Sequence, residues 1–133
     1  STFIPRGDGS QVRDFIFVED VVELYLTMGS MLAQDSKKLA GEIFNAGNNQ
    51  PISVRNAIET IFFQVGNEKD CYVVLEQMKD KETTGEIDCQ YMDFEKVKCF
   101  FGWKPRHTFE QGIDKTIEWF KQYIAFRAKD YAR

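Results

Sequence analysis

The segment Gly7-Asp8-Gly9-Ser10-Gln11-Val12-Arg13-Asp14-Phe15 sets one isolated arginine on a short strand just after a tight glycine turn. Arg13 is the group in this chain best suited to grip an anion. Its planar fork can donate two parallel hydrogen bonds to phosphate oxygens, and a glycine turn lets a ligand approach the backbone closely. The chemistry this suggests is recognition of a diphosphate. Gly9, Gln11 and Phe15 shape the same end, with Gln11, Arg13 and Phe15 alternating onto one strand face. The plainer readings stay open: an ion pair of Arg13 with Asp14, Glu19 or Asp20, and a simple hairpin turn at Gly7-Asp8-Gly9.

Elsewhere, reactive chemistry is sparse. Cys71, Cys89 and Cys99 are an odd number at unrelated spacings, which is neither a disulfide framework nor a zinc pattern. They are expected to be small hydrophobes in a reducing, cytoplasmic setting. His107 is the only histidine, has no partner motif and is expected at the surface. Asn45, Asn48 and Asn49 read as turn amides at a strand end, with polar ligand contact as the alternative. Arg55, one turn into a helix, reads as solvated, with an anion at the helix N-terminus as the alternative. Trp103 in its Gly-Trp-x-Pro setting is expected to pin the following segment to the core rather than stack on a base.

With 133 residues and 12 Phe, the chain is large enough for one domain with a real core. A net charge of −4 without any dense basic run argues against nonspecific nucleic-acid binding. No apolar run approaches a membrane span and no signal peptide opens the chain, so no membrane partner is expected. The first residue is Ser1 rather than methionine, from which we expect a trimmed product or a piece of a longer chain.

The elements that would position these residues follow from periodicity and caps. Residues 2–4 and 12–17 read as short strands around the glycine turn. Val18, Val21, Val22, Tyr25, Leu26, Met28 and Leu32 recur at helical spacing, with Glu19 and Asp20 in the first turn. Residues 43–46 read as a brief buried strand ended by Gly47-Asn48-Asn49. Ser53 is the expected N-cap of a helix that Gly66 stops. Residues 71–75, β-branched and aromatic, read as a strand, and 76–86 as a loop. Asp93 is expected to cap a short helix ended by Gly102, with Pro105 beyond it. Thr108-Phe109-Glu110-Gln111 has capping-box form and opens a long helix bearing Phe109, Ile113, Ile117, Phe120 and Ile124 on one face. Alternating helices and short strands indicate an α/β class, with too few strands for a complete doubly wound sheet.

Several of these segments, in order, resemble the extended short-chain dehydrogenases that act on nucleotide-linked sugars, the NAD-dependent epimerases and 4,6-dehydratases. The resemblance rests on residues 7–15, the Val18-Glu19-Asp20-Val21 helix start and Gly41-Glu42-Ile43-Phe44-Asn45-Ala46-Gly47. It continues through Ser53-Val54, Asp93…Lys96…Phe101-Gly102-Trp103-Lys104-Pro105 and Gly112…Thr116-Ile117-Glu118-Trp119-Phe120, covering roughly residues 5–123. Glu86-Ile87-Asp88-Cys89-Gln90-Tyr91-Met92-Asp93 is most similar to the CDP-glucose 4,6-dehydratase branch. Many members carry Arg-Pro-Gly-Asp where this chain has Thr83-Thr84-Gly85-Glu86, so the nucleotide base does not carry over from the UDP enzymes.

What the resemblance implies is the C-terminal, substrate-binding portion of a Rossmann-type enzyme with an incomplete sheet. Arg13 would hold the diphosphate, with Gln11, Gly9 and Phe15 beside it, and Glu86 and Gln90 would meet the nucleoside. Full-length relatives open with a Gly-x-x-Gly-x-x-Gly loop for NAD and later carry a Tyr-x-x-x-Lys pair that moves the sugar's proton. Neither is in this sequence. NAD, which takes a hydride from sugar C4 and later returns it, would therefore belong to an N-terminal half of the parent, and this chain alone would be inactive. Two rivals remain: a non-enzymatic nucleotide-sugar-binding or assembly module pairing with a separate NAD-binding chain, and a small structural domain without ligand. If 43–46 and 71–75 are edges of a larger sheet, exposed edges and apolar surface imply self-association or modest stability.

Overall fold

The computed structural model describes residues 5–130, and the expected strand at 2–4 lies outside them. The element order is β1 (Val12–Asp14), α1 (Val18–Gln34), a 3-10 turn (Ser36–Lys38), β2 (Pro51–Ser53), α2 (Val54–Gln64), α3 (Glu68–Met78), α4 (Glu95–Phe101) and α5 (Phe109–Asp130). β1 and β2 pair antiparallel, with Val12 opposite Ser53, Arg13 opposite Ile52 and Asp14 opposite Pro51. On its other edge, Val12 meets Cys89 in a parallel bridge. There Val12 N donates to Asp88 O at 2.7 Å and Gln90 N donates to Val12 O at 3.0 Å. β1 is thus the middle of the small sheet, paired to chain far away in sequence rather than closing a local hairpin.

The caps form as their residue types require. Ser53 Oγ accepts from Asn56 N at the start of α2. Thr108 Oγ1 accepts from Gln111 N at 3.3 Å while Gln111 Oε1 accepts from Thr108 N at 2.9 Å, a reciprocal capping box opening α5. At α4 the expected cap shifts: Phe94 holds the N-cap position without a side-chain bond, Asp93 one residue earlier accepts from Glu95 N through Oδ1 at 2.8 Å, and Gly102 ends the helix at φ 65°.

Two expected strands are corrected. Residues 71–75 lie inside α3. Asn67 caps that helix by accepting from Asp70 N, and Cys71, Val74 and Met78 are buried at i, i+3 and i+7, a helical period. Tyr72 and Val73 face solvent, so the β-branched composition that suggests a strand is overridden by packing of one helical face on α2. The loop expected from residue 76 accordingly begins at Lys79. Residues 43–46 form no strand; among the described residues their backbone has no backbone hydrogen-bond partner. β1 is also shorter than residues 12–17, and β2 carried no alternation long enough to be seen.

The core centres on Leu24, Val97 and Trp103, with Ile16, Met28, Phe44, Phe94 and Phe101 packed against it. Trp103 does pin its segment, donating Nε1–H to Asp20 O at 3.1 Å. His107 is not a bare surface residue. Its Nδ1 lies 2.9 Å from the buried Asp20 Oδ1, its backbone N donates to Asp20 Oδ2 at 3.2 Å, and its ring meets Phe17 edge-on. Only the first turns of α5 are covered; Phe120 and Ile124, expected on its inner face, are half or more exposed.

Asp14 binds the fold together. Its carboxylate accepts from Asn48 N, Asn49 N and Met92 N at 3.0 to 3.2 Å. Asp14→Ala strands these donors and is expected to destabilise the chain by about 3 kcal/mol, a typical worth for a multiply bonded charge. A urea midpoint for the variant equal to wild type would remove Asp14 from this role. Cys71 is buried, and burial first, then the charges of Glu59 and Glu68, push its thiol up. Less thiolate at a given pH means slower alkylation. At pH 8, iodoacetamide should modify exposed Cys89 and Cys99 well before Cys71; equal rates would contradict its burial.

Candidate functional site

The turn before β1 is built by a short aspartate. Asp8 Oδ1 accepts from both Ser10 N, at 2.9 Å, and Ser10 Oγ, at 2.8 Å. These two bonds, backbone first, hold the Asp8 carboxyl below its ordinary range. The turn brings Gly9 to φ 77°, and Gly9 O accepts from Arg55 N at the head of α2. A side chain at Gly9 would be strained in φ and would run into Met78 and the Arg55 backbone. Glycine there lets the turn, α2 and α3 meet.

Above this turn lies a cleft of about 290 Å³, lined by Arg6, Gly7, Gly9, Gln11, Val54, Ile58, Met78 and Glu86. Its far wall is the segment after α3, held across by side chains from the N-terminal strand. Gln11, buried, donates Nε2–H to Thr83 Oγ1 at 2.7 Å. Lys81 Nζ donates to Pro5 O at 2.8 Å. Arg13 Nη1 donates to Ile87 O at 2.7 Å and to its own neighbour's carbonyl, Val12 O, at 2.8 Å. Its Nη2 stands 4.0 Å from Glu86 Oε2, with the two side chains 28% and 46% exposed. The plain ion-pair reading therefore finds its acid in Glu86, not in Asp14, Glu19 or Asp20. This contact is long and half in water, so it contributes little to stability.

The structure thus brings Gly9, Gln11, Arg13 and Glu86 to one place. Phe15 lies past the end of β1 and packs on Phe109, ring centroids 5.1 Å apart, away from the cleft. Gln90 is tied to β1 by its backbone and its side chain is exposed. Arg6 at the cleft was not singled out in the sequence, since nothing near it marks a wall. Arg55, read as solvated, is half-buried and donates Nη2–H to Asp8 O at 3.2 Å, bracing the turn. Asn48 and Asn49 form the turn held by Asp14, Asn49 at φ 50°, and Asn45 is exposed. Among the described residues no cluster of His, Cys, Asp or Glu is arranged to hold a metal, and no helix is long and apolar enough to cross a membrane. Arginine on a rigid strand beside a glycine-walled cleft is a geometry for binding an anionic group attached to something larger. No described residue pairs a base with a nucleophile there.

Known proteins place the chain. Residues 1–116 match the GDP-mannose 4,6 dehydratase family. Over 118 residues the chain is 37% identical to a dTDP-glucose 4,6-dehydratase of Xanthomonas campestris pv. campestris, covering 86% of this chain and 32% of that protein. Over 121 residues it is 32% identical to the human dTDP-D-glucose 4,6-dehydratase, covering 88% of this chain and 32% of that one. Among solved structures, it superposes on the Thermotoga maritima UDP-glucose 4-epimerase with UDP-glucose at a TM-score of 0.65 and 25% identity, covering 90% of this chain and 35% of that one. It also superposes on the Bacillus anthracis dTDP-glucose 4,6-dehydratase with NAD at 0.62 and 28%, covering 87% and 33%. The chain spans about a third of the length of the curated relatives it matches. Its α/β fold is that of part of a Rossmann-type epimerase or dehydratase. The chain belongs to the GDP-mannose 4,6 dehydratase family, the short-chain dehydrogenase group of nucleotide-sugar dehydratases and epimerases.

Proposed function

We propose that this chain is the nucleotide-sugar-binding, C-terminal domain of an NAD-dependent nucleotide-sugar 4,6-dehydratase or epimerase, and has no turnover alone. The observation that carries this reading is Arg13, fixed on β1 by two carbonyls with its Nη2 4.0 Å from Glu86, which lines the glycine-walled cleft. Those carbonyls orient the guanidinium before a ligand arrives, which lowers the cost of ordering it. A sugar-linked diphosphate would take the remaining donors of the fork in place of the distant Glu86 carboxylate. Gly9 lets the turn close against Met78 and Arg55 at the cleft floor, and Gln11 holds the Thr83 wall at its edge. Glu86 and Gln90 are assigned to the nucleoside, Phe15 to support of the strand from behind. The ligand we assign is CDP-glucose, on residues 86–93.

The residues present do not fit NAD. Gly7 and Gly9 lead into a strand, and α1 and α2 open after Phe17 and Ser53 rather than from a glycine loop. Dinucleotide binding and the proton transfers are therefore assigned to an N-terminal half of the parent.

Titration calorimetry of the folded chain with CDP-glucose tests the reading, with dTDP-glucose and UDP-glucose in parallel. Saturable, weak binding is expected, reduced about tenfold or more in Arg13→Ala, as loss of a charged hydrogen bond implies. Arg13→Lys should recover only part of it, because an ammonium lacks the fork. Equal binding by wild type and Arg13→Ala would sink Arg13 as the diphosphate grip. Silence at millimolar ligand would overturn self-sufficient binding and the free-standing module with it.

A further inference from the structure

Glu86 is the one acid among the residues lining the Arg13 cleft, an odd neighbour for an arginine suited to phosphate. Its Oε2 lies 4.0 Å from Arg13 Nη2, and Arg13 has no other ion pair among the described residues. The chain on both sides of Glu86 is held still. Before it, Thr83 Oγ1 accepts from Gln11 Nε2 at 2.7 Å. After it, Ile87 O accepts from Arg13 Nη1 at 2.7 Å and Asp88 O accepts from Val12 N at 2.7 Å. Between these anchors Gly85 bends at φ 78°. The Glu86 side chain itself is 46% exposed and takes no hydrogen bond among the described residues. The backbone is therefore pinned while the carboxylate is free to swing. As a structural ion pair the contact is poor, being long and half in water. Arg13 is already oriented by two carbonyls and gains no positioning from it. What the carboxylate does is bring negative charge to the open edge of the guanidinium. A phosphate on that edge lies within about 4–6 Å of it, where like charges disfavour one another.

We infer that Glu86 is a specificity filter on this cleft, a resident counter-anion that holds off free phosphate and pyrophosphate and yields to a diphosphate carrying hydroxyl groups. The inference rests on the diphosphate reading of the cleft and says how that site chooses among anions. An inorganic anion displaces the carboxylate and gives it no new partner, so like charge is left beside like. A sugar-linked diphosphate brings O–H donors into the same cleft, and the displaced carboxylate, an acceptor with several lone pairs, takes them. Arg6 lines the cleft too and draws any anion alike, so the choice falls to the acid. Discrimination then comes from an element that repels the wrong ligand as much as from one that attracts the right one.

Titration calorimetry tests the filter, with sodium pyrophosphate and CDP-glucose as separate probes in metal-free buffer at constant ionic strength. The proteins are the wild-type chain, Glu86→Gln, Arg13→Ala and the double variant. Glu86→Gln should bind pyrophosphate about fivefold more tightly, the upper worth of a half-exposed charge contact, and should gain less, or lose, toward CDP-glucose. The ratio of the two affinities, which a change in the folded fraction leaves alone, should fall accordingly. The pyrophosphate gain should vanish in the double variant, because it needs the freed guanidinium. Pyrophosphate bound no more tightly by Glu86→Gln than by wild type, silence from both included, would overturn the filter. A gain that survives the loss of Arg13, or one equal for the two ligands, would overturn it as well. CDP-glucose binding that needs Arg13, without any pyrophosphate gain in Glu86→Gln, removes the filter and keeps the diphosphate reading. A pyrophosphate gain beside silence toward CDP-glucose keeps the filter and removes CDP-glucose as the ligand.

Discussion

One carboxylate decides where most of this chain can go. Asp14 sits at the end of the central strand and gathers backbone N–H groups from residues 34, 35 and 78 positions away in sequence. Each donor would otherwise be an unsatisfied amide in a loop, and a charge that accepts several of them holds loops more firmly than loops hold themselves. Gly47 is buried directly against Asp14 and Met92, with no room there for a side chain. The turn at 47–49, the β2 strand that follows it and the segment entering α4 are therefore registered against one another through β1. Asp20 repeats the device one layer away, buried and joined to His107 and, through its carbonyl, to Trp103.

Because β1 is fixed on both edges and at its end, the side chains it projects are fixed too. Arg13 and Gln11 differ by two residues and so leave the same strand face, Gln11 toward Thr83 and Arg13 toward Ile87. The segment after α3 is drawn over the cleft by these contacts and by Lys81, although it has no regular structure of its own. Positive φ at Asp80 and Gly85 gives it the sharp bends it needs. A cleft wall made this way depends on the sheet behind it rather than on its own packing.

What was legible in the sequence was mostly local. Caps at Ser53 and Thr108-Gln111, and the stop at Gly102, are written within four residues and formed as expected, whereas at α4 Phe94 takes the N-cap position and Asp93 bonds from one residue earlier. Of the residues that family resemblance named for a ligand, Gly9, Gln11 and Glu86 line one cleft and Arg13 lies 4.0 Å from Glu86, while Phe15 and Gln90 stand apart. Failures came where distant chain decides. Residues 71–75 have strand composition, yet the Asn67 cap and a buried face on α2 make them helix. His107 finds a partner 87 residues away that no spacing rule connects. β2 is three residues long and exists because β1 lies next to it.

Residues 43–46 fail in the opposite sense, and the reason is instructive. Their alternation is a true strand pattern, with Phe44 inward and Ile43 outward, but a strand is defined by its neighbour. The same holds for the outer stripe of α1 and for the later turns of α5, where Trp119, Phe120, Ile124 and Phe126 remain 50% exposed or more. Each is an element whose sequence specifies two buried faces and whose surroundings supply one. Energetics sharpen the point. Large apolar side chains contribute about 1.5–3 kcal/mol each when fully buried, so these outward positions hold back several such contributions. Against a net stability of typically 5–15 kcal/mol for a domain, that sum is not marginal. The apolar information in this chain is therefore greater than the described residues by themselves bury.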